Sequence, residues 1–301
     1  MMGTKAIRLW RIPIIMQQCG LGRLVPDRLY LKCMFRDKMG YKLNLSNPTT
    51  FNEKLQWLKI YDRKPVYSLL VDKFEVKQYV SDMIGSEYVI DNYGVWNSFD
   101  EIDFATLPDQ FVLKCTHNSG GIVICEDKAS FDREKAKLFL EKNQRDEYYL
   151  SGREWPYKSV RPRILAERYM VDDQTRELRD YKFFSFNGEI KMMFVATNRQ
   201  ATDRPTAFDF FDENYCHLDI RHGHPNAESI PMKPKSFDLM KQLAHKLSVG
   251  IPQVRVDFYE VNGKVYFGEM TFFHHCGWVP FDPPEWDTIL GSWVSLPSKT
   301  K

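Results

Sequence analysis

The chain has 301 residues, of which 43% are hydrophobic and 27% are charged, so it can form a full enzyme core in one large unit or in two to three small packed lobes. Its formal net charge of +2 points to no particular partner, and apart from a basic N-terminus nothing supports nucleic-acid binding. Its six cysteines show no C-x-x-C pair, which favours free thiols over a zinc finger.

The N-terminal segment, residues 1–42, is basic and partly apolar. Arg8 and Arg11 interrupt its apolar stretch, so no secretory signal is predicted. No stretch of the chain approaches the roughly 18–20 apolar residues of a membrane span, and we therefore expect a cytoplasmic protein. The preferred interpretation of Trp10 and the nearby isoleucines is a first helix packed on the body, and the alternative is a helix resting on an anionic membrane surface.

Helical periodicity dominates the chain up to about residue 82. Thr50, followed three residues later by Glu53, resembles a capping box and predicts a helix start at residue 51. A second helix is predicted over about 69–82, where the charges at residues 72–77 are typical of a solvated face. A strand-like stretch follows at 88–90.

From residue 107 onward, short β-rich runs alternate with a few helices. Asn187-Gly188 and Asn262-Gly263 are hairpin signals, each between two apolar runs. Predicted strands cover 111–115, 121–125, 163–170, 181–186, 189–197, 254–261 and 264–270, and predicted helices cover about 132–147 and 235–248. The region 198–234 is polar and contains prolines, and the C-terminal tail is loop-rich. The pattern indicates an α+β fold with antiparallel sheets, and no G-x-G-x-x-G or Walker A sequence is present.

Two groups of residues have the chemistry of a phosphate and metal site. Lys114 ends a strand just before the small-residue loop 118–121, whose backbone N–H groups can approach a phosphate closely. Asp257 and Glu269 lie on the two strands of the last hairpin, and carboxylates on adjacent strands can hold Mg²⁺ against phosphate oxygens. Taken alone, the first pattern is more often only a hairpin, and the second is more often two acids on solvent-facing strands.

The turn of the last hairpin decides whether those two carboxylates meet. With a two-residue turn at Asn262-Gly263, Asp257 pairs with Gly268 and Glu269 faces the opposite side. Joint metal binding requires a shift of one residue, and we predict that a three-residue loop, 262–264, with Gly263 left-handed, supplies it.

The close histidine pairs allow less definite statements. For His222 and His224, a surface loop is favoured over metal ligation. The loop 274–277, which begins with His274 and His275, is either a structural turn covering the hairpin or a place where a substrate carboxylate is held.

The order of these motifs resembles the TupA-like ATP-grasp family, which is associated with teichuronopeptide and other cell-surface polysaccharide gene clusters. The resemblance runs from about residue 27 to 297. It rests on FNEKLQWLK (51–59), LVDKFEVKQYV (70–80), LPDQFVLKCTHNSGG (107–121), RILAERYM (163–170), RDYKFFSFNGEIK (179–191), RVDFYEVNGKVYFGEMTF (255–272) and PPEWDTILGSW (283–293). It implies an ATP-grasp fold with two ATP-binding lobes, here expected at 69–170 and 171–301 after a helical N-terminal region, 1–68.

The same resemblance implies ATP and Mg²⁺ as cofactors and a set of site residues. Lys73 and Lys114 match the lysines that contact the ATP phosphates, and Asp257 and Glu269 match the Mg²⁺ ligands. Thr271 stands where the general ATP-grasp pattern has Asn, and its hydroxyl can ligate metal or orient water. The remaining matches are the closing loop of Asn118, Ser119, Gly120 and Gly121, the adenine hinge of Glu167, Arg168 and Tyr169, the ribose-binding Asp180, and the catalytic cations Arg255 and Lys182.

The implied reaction is that of a carboxylate–amine ligase. A carboxylate, expected to belong to a hexuronic acid, is phosphorylated to an acyl phosphate, and an amino acid or amino sugar then displaces phosphate to give an amide. Peripheral contact with a membrane or with polysaccharide assembly enzymes is also expected. The alternatives are a glycosyltransferase, although no D-x-D motif is present, and a non-catalytic nucleotide-binding partner of a membrane polysaccharide complex.

Overall fold

A computed structural model describes residues 9–199, 201 and 203–299 of the chain. The basic positions Lys5 and Arg8 lie outside the described residues. The helices are α1 (Ile12–Gln18), α2 (Asp27–Met39), α3 (Phe51–Tyr61), α4 (Val66–Val71), α5 (Glu75–Ile84), α6 (Arg133–Gln144), α7 (Tyr148–Gly152), α8 (Phe237–Ser248) and α9 (Glu285–Trp293). The strands are β1 (Asn92–Trp96), β2 (Phe111–Cys115), β3 (Ile122–Cys125), β4 (Ile164–Arg168), β5 (Asp180–Phe186), β6 (Glu189–Thr197), β7 (Ala207–Asp212), β8 (His217–Leu218), β9 (Val254–Val261) and β10 (Lys264–Thr271).

Two antiparallel sheets carry the architecture. The first sheet has four strands in the order β1-β4-β2-β3, and the second has six in the order β10-β9-β5-β6-β7-β8. The larger core packs the second sheet against α3, α4, α8 and α9, whereas a smaller core lies between the first sheet and α6. The structure therefore has the predicted α+β class with antiparallel sheets, while the bounds of the three predicted regions stay predictions.

The predicted capping box is present at the start of α3. The Thr50 hydroxyl accepts a hydrogen bond from the Glu53 backbone N–H at 3.3 Å, and the Glu53 carboxylate accepts one from the Thr50 N–H at 3.4 Å. Two orphan donors of the first turn are thereby satisfied, which explains why the helix begins where the sequence predicts.

The single helix predicted over 69–82 is wrong, because a turn separates α4, which ends at Val71, from α5, which begins at Glu75. The Asp72 carboxylate accepts hydrogen bonds from the backbone N–H groups of Phe74 at 2.9 Å and Glu75 at 3.3 Å. A short acidic side chain that bonds the backbone two and three residues ahead competes with helical hydrogen bonding and starts a new helix instead. The break leaves Lys73 in the turn between the two helices.

Other differences concern short or late elements. The strand predicted at 88–90 is wrong: a 3-10 turn occupies Ser86–Tyr88, and β1 begins at Asn92. Strands β7 and β8 lie in the polar region 198–234, for which no element is predicted, and α9 lies in the tail that is predicted to be loop-rich. Strand β7 is stabilised by its pairing with β6, and no local sequence signal predicts that pairing.

The first helix packs on the body of the molecule. Ile14 of α1 is buried with Tyr30 and Met34 of α2, and Trp10 packs against the same small cluster. Arg36 lies over the Trp10 ring at 5.1 Å, which is a cation–π arrangement. None of the helices in the described part of the chain combines the length and the apolar character that crossing a membrane requires.

Candidate active site

A narrow cleft between the two sheets collects most of the charged residues predicted from the sequence. It encloses about 100 Å³ and has walls from both sheets. The first sheet and α5 contribute Lys77, Lys114 and Glu167, the turn before α5 contributes Lys73, and the second sheet and its loops contribute Asp180, Lys182, Arg199 and Glu269. The cleft is therefore a junction at which oppositely charged side chains of distant segments meet.

The two carboxylates predicted to bind metal lie directly opposite each other, but not for the predicted reason. Lys264 pairs with Val261 across a regular two-residue turn, so the predicted three-residue loop is wrong. The register shifts between Phe267 and Glu269, where Gly268 forms a β-bulge that brings Glu269 opposite Asp257. A Cβ at Gly268 would lie 3.1 Å from the Asp257 carbonyl oxygen, so a larger residue would crowd the backbone at the bulge.

Arg255 precedes Asp257 by two residues, so both side chains lie on the same face of β9, and Arg255 binds Asp257 with two nitrogens. Its Nε and Nη2 each lie 2.7 Å from an Asp257 oxygen, and Nη2 also contacts Glu269 at 3.1 Å and the Thr271 hydroxyl at 3.0 Å. Lys182, opposite Asp257 on β5, forms a second ion pair with it. Asp257 is fully buried, so these cations supply the compensation that a buried carboxylate needs.

This donor set fits Mg²⁺. Asp257 and Glu269 present hard carboxylate oxygens from adjacent strands, and the Thr271 hydroxyl lies 3.2 Å from the Glu269 carboxylate. Burial alone would raise the pKa of Glu269, but Lys182, Arg255 and Lys73 lower it to about 2. Glu269 is therefore ionised at neutral pH, as a magnesium ligand must be.

Glu167, predicted as part of the adenine hinge, is buried between two lysines. Lys77 lies 2.7 Å from one carboxylate oxygen and Lys114 pairs with the other. Burial would raise the pKa of Glu167, but the two ammonium groups lower it to about 2. Sequence reasoning missed Lys77, which it assigned to a solvated helix face. No local signal marks Lys77, because its partner Glu167 lies on β4, far along the chain.

The predicted closing loop, 118–121, is anchored at both ends. The Lys73 ammonium donates to the Cys115 carbonyl at 3.2 Å and to the Asn118 carbonyl, and the Asn118 side chain accepts from the Gly121 N–H at 3.1 Å. A Cβ at Gly121 would meet the Cys115 sulfur at 2.7 Å, so that position has no room for a side chain. Ser119 and Gly120 are exposed and form the tip of the loop.

A second cavity, of about 220 Å³, shares part of its wall with the cleft. Arg168 and Tyr169 at the end of β4 line it together with apolar side chains, which suits a purine ring. Asp180, the predicted ribose ligand, is buried beside the cleft, where it pairs with Arg199 and lies 3.4 Å from Lys182. Arg199, just after β6, was not singled out in the sequence, because only the pairing of β5 with β6 brings it to Asp180.

Two antiparallel sheets line the cleft, the first with Lys114 and the second with Glu269, which lies opposite Asp257. The family model of TupA-like ATP-grasp proteins matches residues 53–295, and the chain belongs to that family. The family, the fold and the ATP-grasp enzyme class predicted from the sequence are thereby confirmed, whereas the roles of individual residues stay predictions.

Several solved structures are loosely similar. D-alanine–D-alanine ligase of Helicobacter pylori is 13% identical over 73% of this chain and 61% of its own, with a TM-score of 0.40. The same enzyme of Bacillus anthracis complexed with ATP is 14% identical over 68% of this chain and 54% of its own, with a TM-score of 0.37. N5-carboxyaminoimidazole synthetase of Staphylococcus aureus complexed with ADP is 14% identical over 76% of this chain and 53% of its own, with a TM-score of 0.41.

The chain thus spans between about half and three fifths of the length of these structures. None of the curated proteins matches it in sequence.

Proposed function

We propose that this protein is a Mg-ATP-dependent carboxylate–amine ligase. One observation carries the proposal: Asp257 and Glu269 lie opposite each other, with Arg255 and Lys182 in contact with Asp257, on the wall that faces Lys73 and Lys114. These cations and carboxylates have the charges that transfer of the terminal phosphoryl group of ATP to a carboxylate oxygen requires. The acyl phosphate so formed is then attacked by an amine, and phosphate leaves as the amide forms.

The catalytic contribution of the protein is placement and charge. Phosphoryl transfer needs in-line positioning and neutralisation of developing negative charge rather than covalent help from the protein. Lys73 and Lys114 approach from the first-sheet side, and Arg255 and Lys182 from the second. Mg²⁺ held by Asp257 and Glu269 would neutralise charge on the phosphate oxygens.

Such a reaction has to exclude water, and the loop 118–121 is placed to do so. Its ends are anchored and its tip, Ser119-Gly120, is exposed, so the tip can move while the anchors hold the loop over the cleft. The Tyr148 hydroxyl faces Ser119 from α7. An acyl phosphate hydrolyses in water, and a closed tip would protect it.

A larger cavity of about 790 Å³ on the Tyr148 side of the loop is the proposed acceptor site. Tyr148 and Tyr157 line it with His117 and Lys158, and such a mixture of aromatic rings and polar groups suits a sugar acid. We assign the carboxylate to a hexuronic acid and the amine to an amino acid or amino sugar, in cell-surface polysaccharide biosynthesis. Contact with a membrane or with polysaccharide assembly enzymes belongs to the same proposal.

The decisive experiment is to incubate the protein with ATP, Mg²⁺, a candidate hexuronic acid and hydroxylamine. Hydroxylamine traps an acyl phosphate as a hydroxamate, so we expect hydroxamate and ADP in equal amounts. Asp257→Asn is the matched control, which should bind ATP yet form neither product.

Two results would contradict the proposal. ATP hydrolysis that no carboxylic acid stimulates would argue against carboxylate activation. Release of UDP or GDP from a nucleotide sugar, without consumption of ATP, would support the glycosyltransferase alternative instead.

A further inference from the structure

Three histidine rings meet in a buried cluster next to Arg255. His222, His274 and His275 each place one ring nitrogen within 4.8 Å of the others. His222 and His274 are almost fully buried, so the prediction that His222 lies in a surface loop is wrong. An isolated antiparallel bridge between Arg221 and Asp282 holds the segment after β8 beside the chain that follows the turn His274–Gly277.

Each ring of this histidine cluster has one nitrogen that lacks a hydrogen-bond partner. Among the described residues, nothing bonds His222 Nδ1, His274 Nε2 or His275 Nε2, and all three atoms are shielded from solvent. A buried polar atom without a partner costs free energy, and most such atoms in native proteins bind a protein group, a water or an ion. Three of them at one point indicate a common ligand.

The hydrogen bond at one ring nitrogen decides whether the other nitrogen has a lone pair or a proton. His222 Nε2 donates to the Val279 carbonyl at 2.9 Å, so its Nδ1 has a lone pair. The ring of His275 lies within reach of the His222 backbone, and its Nε2 has no hydrogen-bond partner. A backbone carbonyl behind a ligating imidazole is a usual outer-shell partner in a metal site. Burial, above all, lowers the pKa of His222 to about 3 and that of His275 to about 4, so both are neutral at pH 7.

The rings are also held in place. His222 stacks on Phe281 with ring centroids 3.8 Å apart, and His274 packs its edge on Phe184. His275 has a left-handed backbone, with φ of 46°, which is unfavourable for a side chain of this size and typical of functional positions. A Cβ at Gly223 would lie 2.9 Å from His275 Nε2, so the glycine leaves space beside that nitrogen.

We propose that His222, His274 and His275 bind a divalent transition metal of the Zn²⁺ type, at a site separate from the magnesium site. Three atoms within 4.8 Å of one another have a common point at most about 2.8 Å from each, whereas Zn–N bonds are about 2.0–2.1 Å. A contraction of less than about 1 Å per ring completes the site. Imidazole nitrogens suit zinc, while magnesium prefers oxygen, so the two sites select different ions.

His274 sets the proton balance of binding. Arg255 donates to His274 Nδ1 at 2.7 Å, and a guanidinium cannot accept, so the neutral ring has its proton on Nε2. Coordination through Nε2 therefore releases this proton to solvent and leaves an imidazolate between the metal and the guanidinium. The negative ring offsets the repulsion between these two cations. His222 and His275 bind through lone pairs and release none, so one proton should leave per metal ion.

The test is a Zn²⁺ titration of the full chain, freed of metal with a chelator and kept in excess Mg²⁺. We expect one Zn²⁺ per chain, release of about one proton at pH 7 measured by calorimetry in two buffers, and a higher melting temperature with Zn²⁺ than with Mg²⁺ alone. His222→Ala and His275→Ala should weaken Zn²⁺ binding at least a hundredfold. His224→Ala, a half-buried histidine of the same segment, is the matched control and should bind as the wild type does.

Circular dichroism and ATP binding establish that the variants fold. The proposal is overturned if the wild-type chain binds no Zn²⁺ in excess Mg²⁺, because the cluster then holds only water. It is equally overturned if folded His222→Ala and His275→Ala bind Zn²⁺ as tightly as the wild type, or if His224→Ala loses binding as they do.

Discussion

At the scale of single residues, the candidate site is a set of mutually neutralised charges. Asp257 pairs with Arg255 and Lys182, and Glu167 pairs with Lys77 and Lys114. Each of these carboxylates is buried, and a buried charge without a partner costs several kcal/mol. Without nucleotide, the lysines and carboxylates therefore stabilise one another, and phosphate binding has to replace those contacts rather than fill an empty space.

Lys114→Ala tests the phosphate assignment. We expect nucleotide binding to weaken by roughly 1.5–3 kcal/mol, the range for hydrogen bonds to charged groups, because a cation facing the phosphates is lost. Glu167 keeps Lys77 as a partner, so the protein should still fold. Calorimetric titration with ATP and Mg²⁺ measures the change. Lys135→Ala, at an exposed position of α6, is the control, and equal affinity in both variants would refute the nucleotide site.

Glu167→Gln tests the buried ion pairs. Removing one partner leaves two partly buried lysines without a counter-charge, so the free energy of unfolding at pH 7 should fall by about 3 kcal/mol. The pKa of Glu167 is lowered from 4.5 to about 2 on folding, so its contribution is present above pH 4.5 and is lost as the pH falls through 2. Urea unfolding of both proteins should show the difference shrinking over that range. A difference that stays constant from pH 7 to 2.5 would contradict the assignment.

At the scale of elements, the β9–β10 hairpin shows how one unpaired residue creates a site. The turn at Asn262-Gly263 is regular, and both residues have positive φ, as a two-residue hairpin turn requires. The bulge at Gly268 then changes which residues pair, and Glu269 moves to the face that Asp257 occupies. Turn and bulge therefore have separate functions, since the first closes the hairpin and the second aligns the carboxylates.

Two glycine variants separate those functions. Gly263→Ala places a side chain in open space but at a φ of +76°, and should lower the free energy of unfolding by roughly 1 kcal/mol while leaving metal binding unchanged. Gly268→Val crowds the Asp257 carbonyl and the Tyr259 ring, and should weaken metal binding at least about tenfold by displacing Glu269. Mn²⁺ titration of the ATP-bound proteins compares them. Weaker Mn²⁺ binding in Gly263→Ala would show that the turn, and not the bulge, aligns Asp257 with Glu269.

At the scale of the whole molecule, the site exists only because two sheets with separate cores face each other. The first sheet packs on α6 and the second on α3, α8 and α9, and the cleft has walls from both. A ligand that contacts both sheets stabilises their arrangement by its binding free energy, in proportion to its saturation.

Hydrogen exchange measures this coupling. Mg-ATP should slow backbone exchange in β2 and β4 of the first sheet and also in β9 and β10 of the second, because all four strands contribute groups to the cleft. Lys114→Ala at the same ATP concentration should lose the protection in both sheets together. Protection confined to one sheet would show that the nucleotide does not bridge them.

Much of the fold follows from local signals in the sequence. The capping box of Thr50 and Glu53, the Asn-Gly turns and the β-rich runs act over a few residues, and the corresponding helix and hairpins form where they predict. The missed elements lack such signals. Strand β7 depends on its pairing with β6, and α9 packs on α3 so closely that Gly291 leaves no space for a side chain beside Thr49 and Phe51.

The sequence by itself determined the family, the class of fold and most of the charged residues of the cleft, because these follow from the types of residues and their order along the chain. Only the tertiary structure decided which of them meet: that Gly268 rather than the turn aligns Asp257 with Glu269, that Lys77 binds Glu167, and that His222 joins His274 and His275 from more than 50 residues away. The physical reason is that burial, register and ion pairing depend on segments far apart in the chain, whose distances no local pattern specifies.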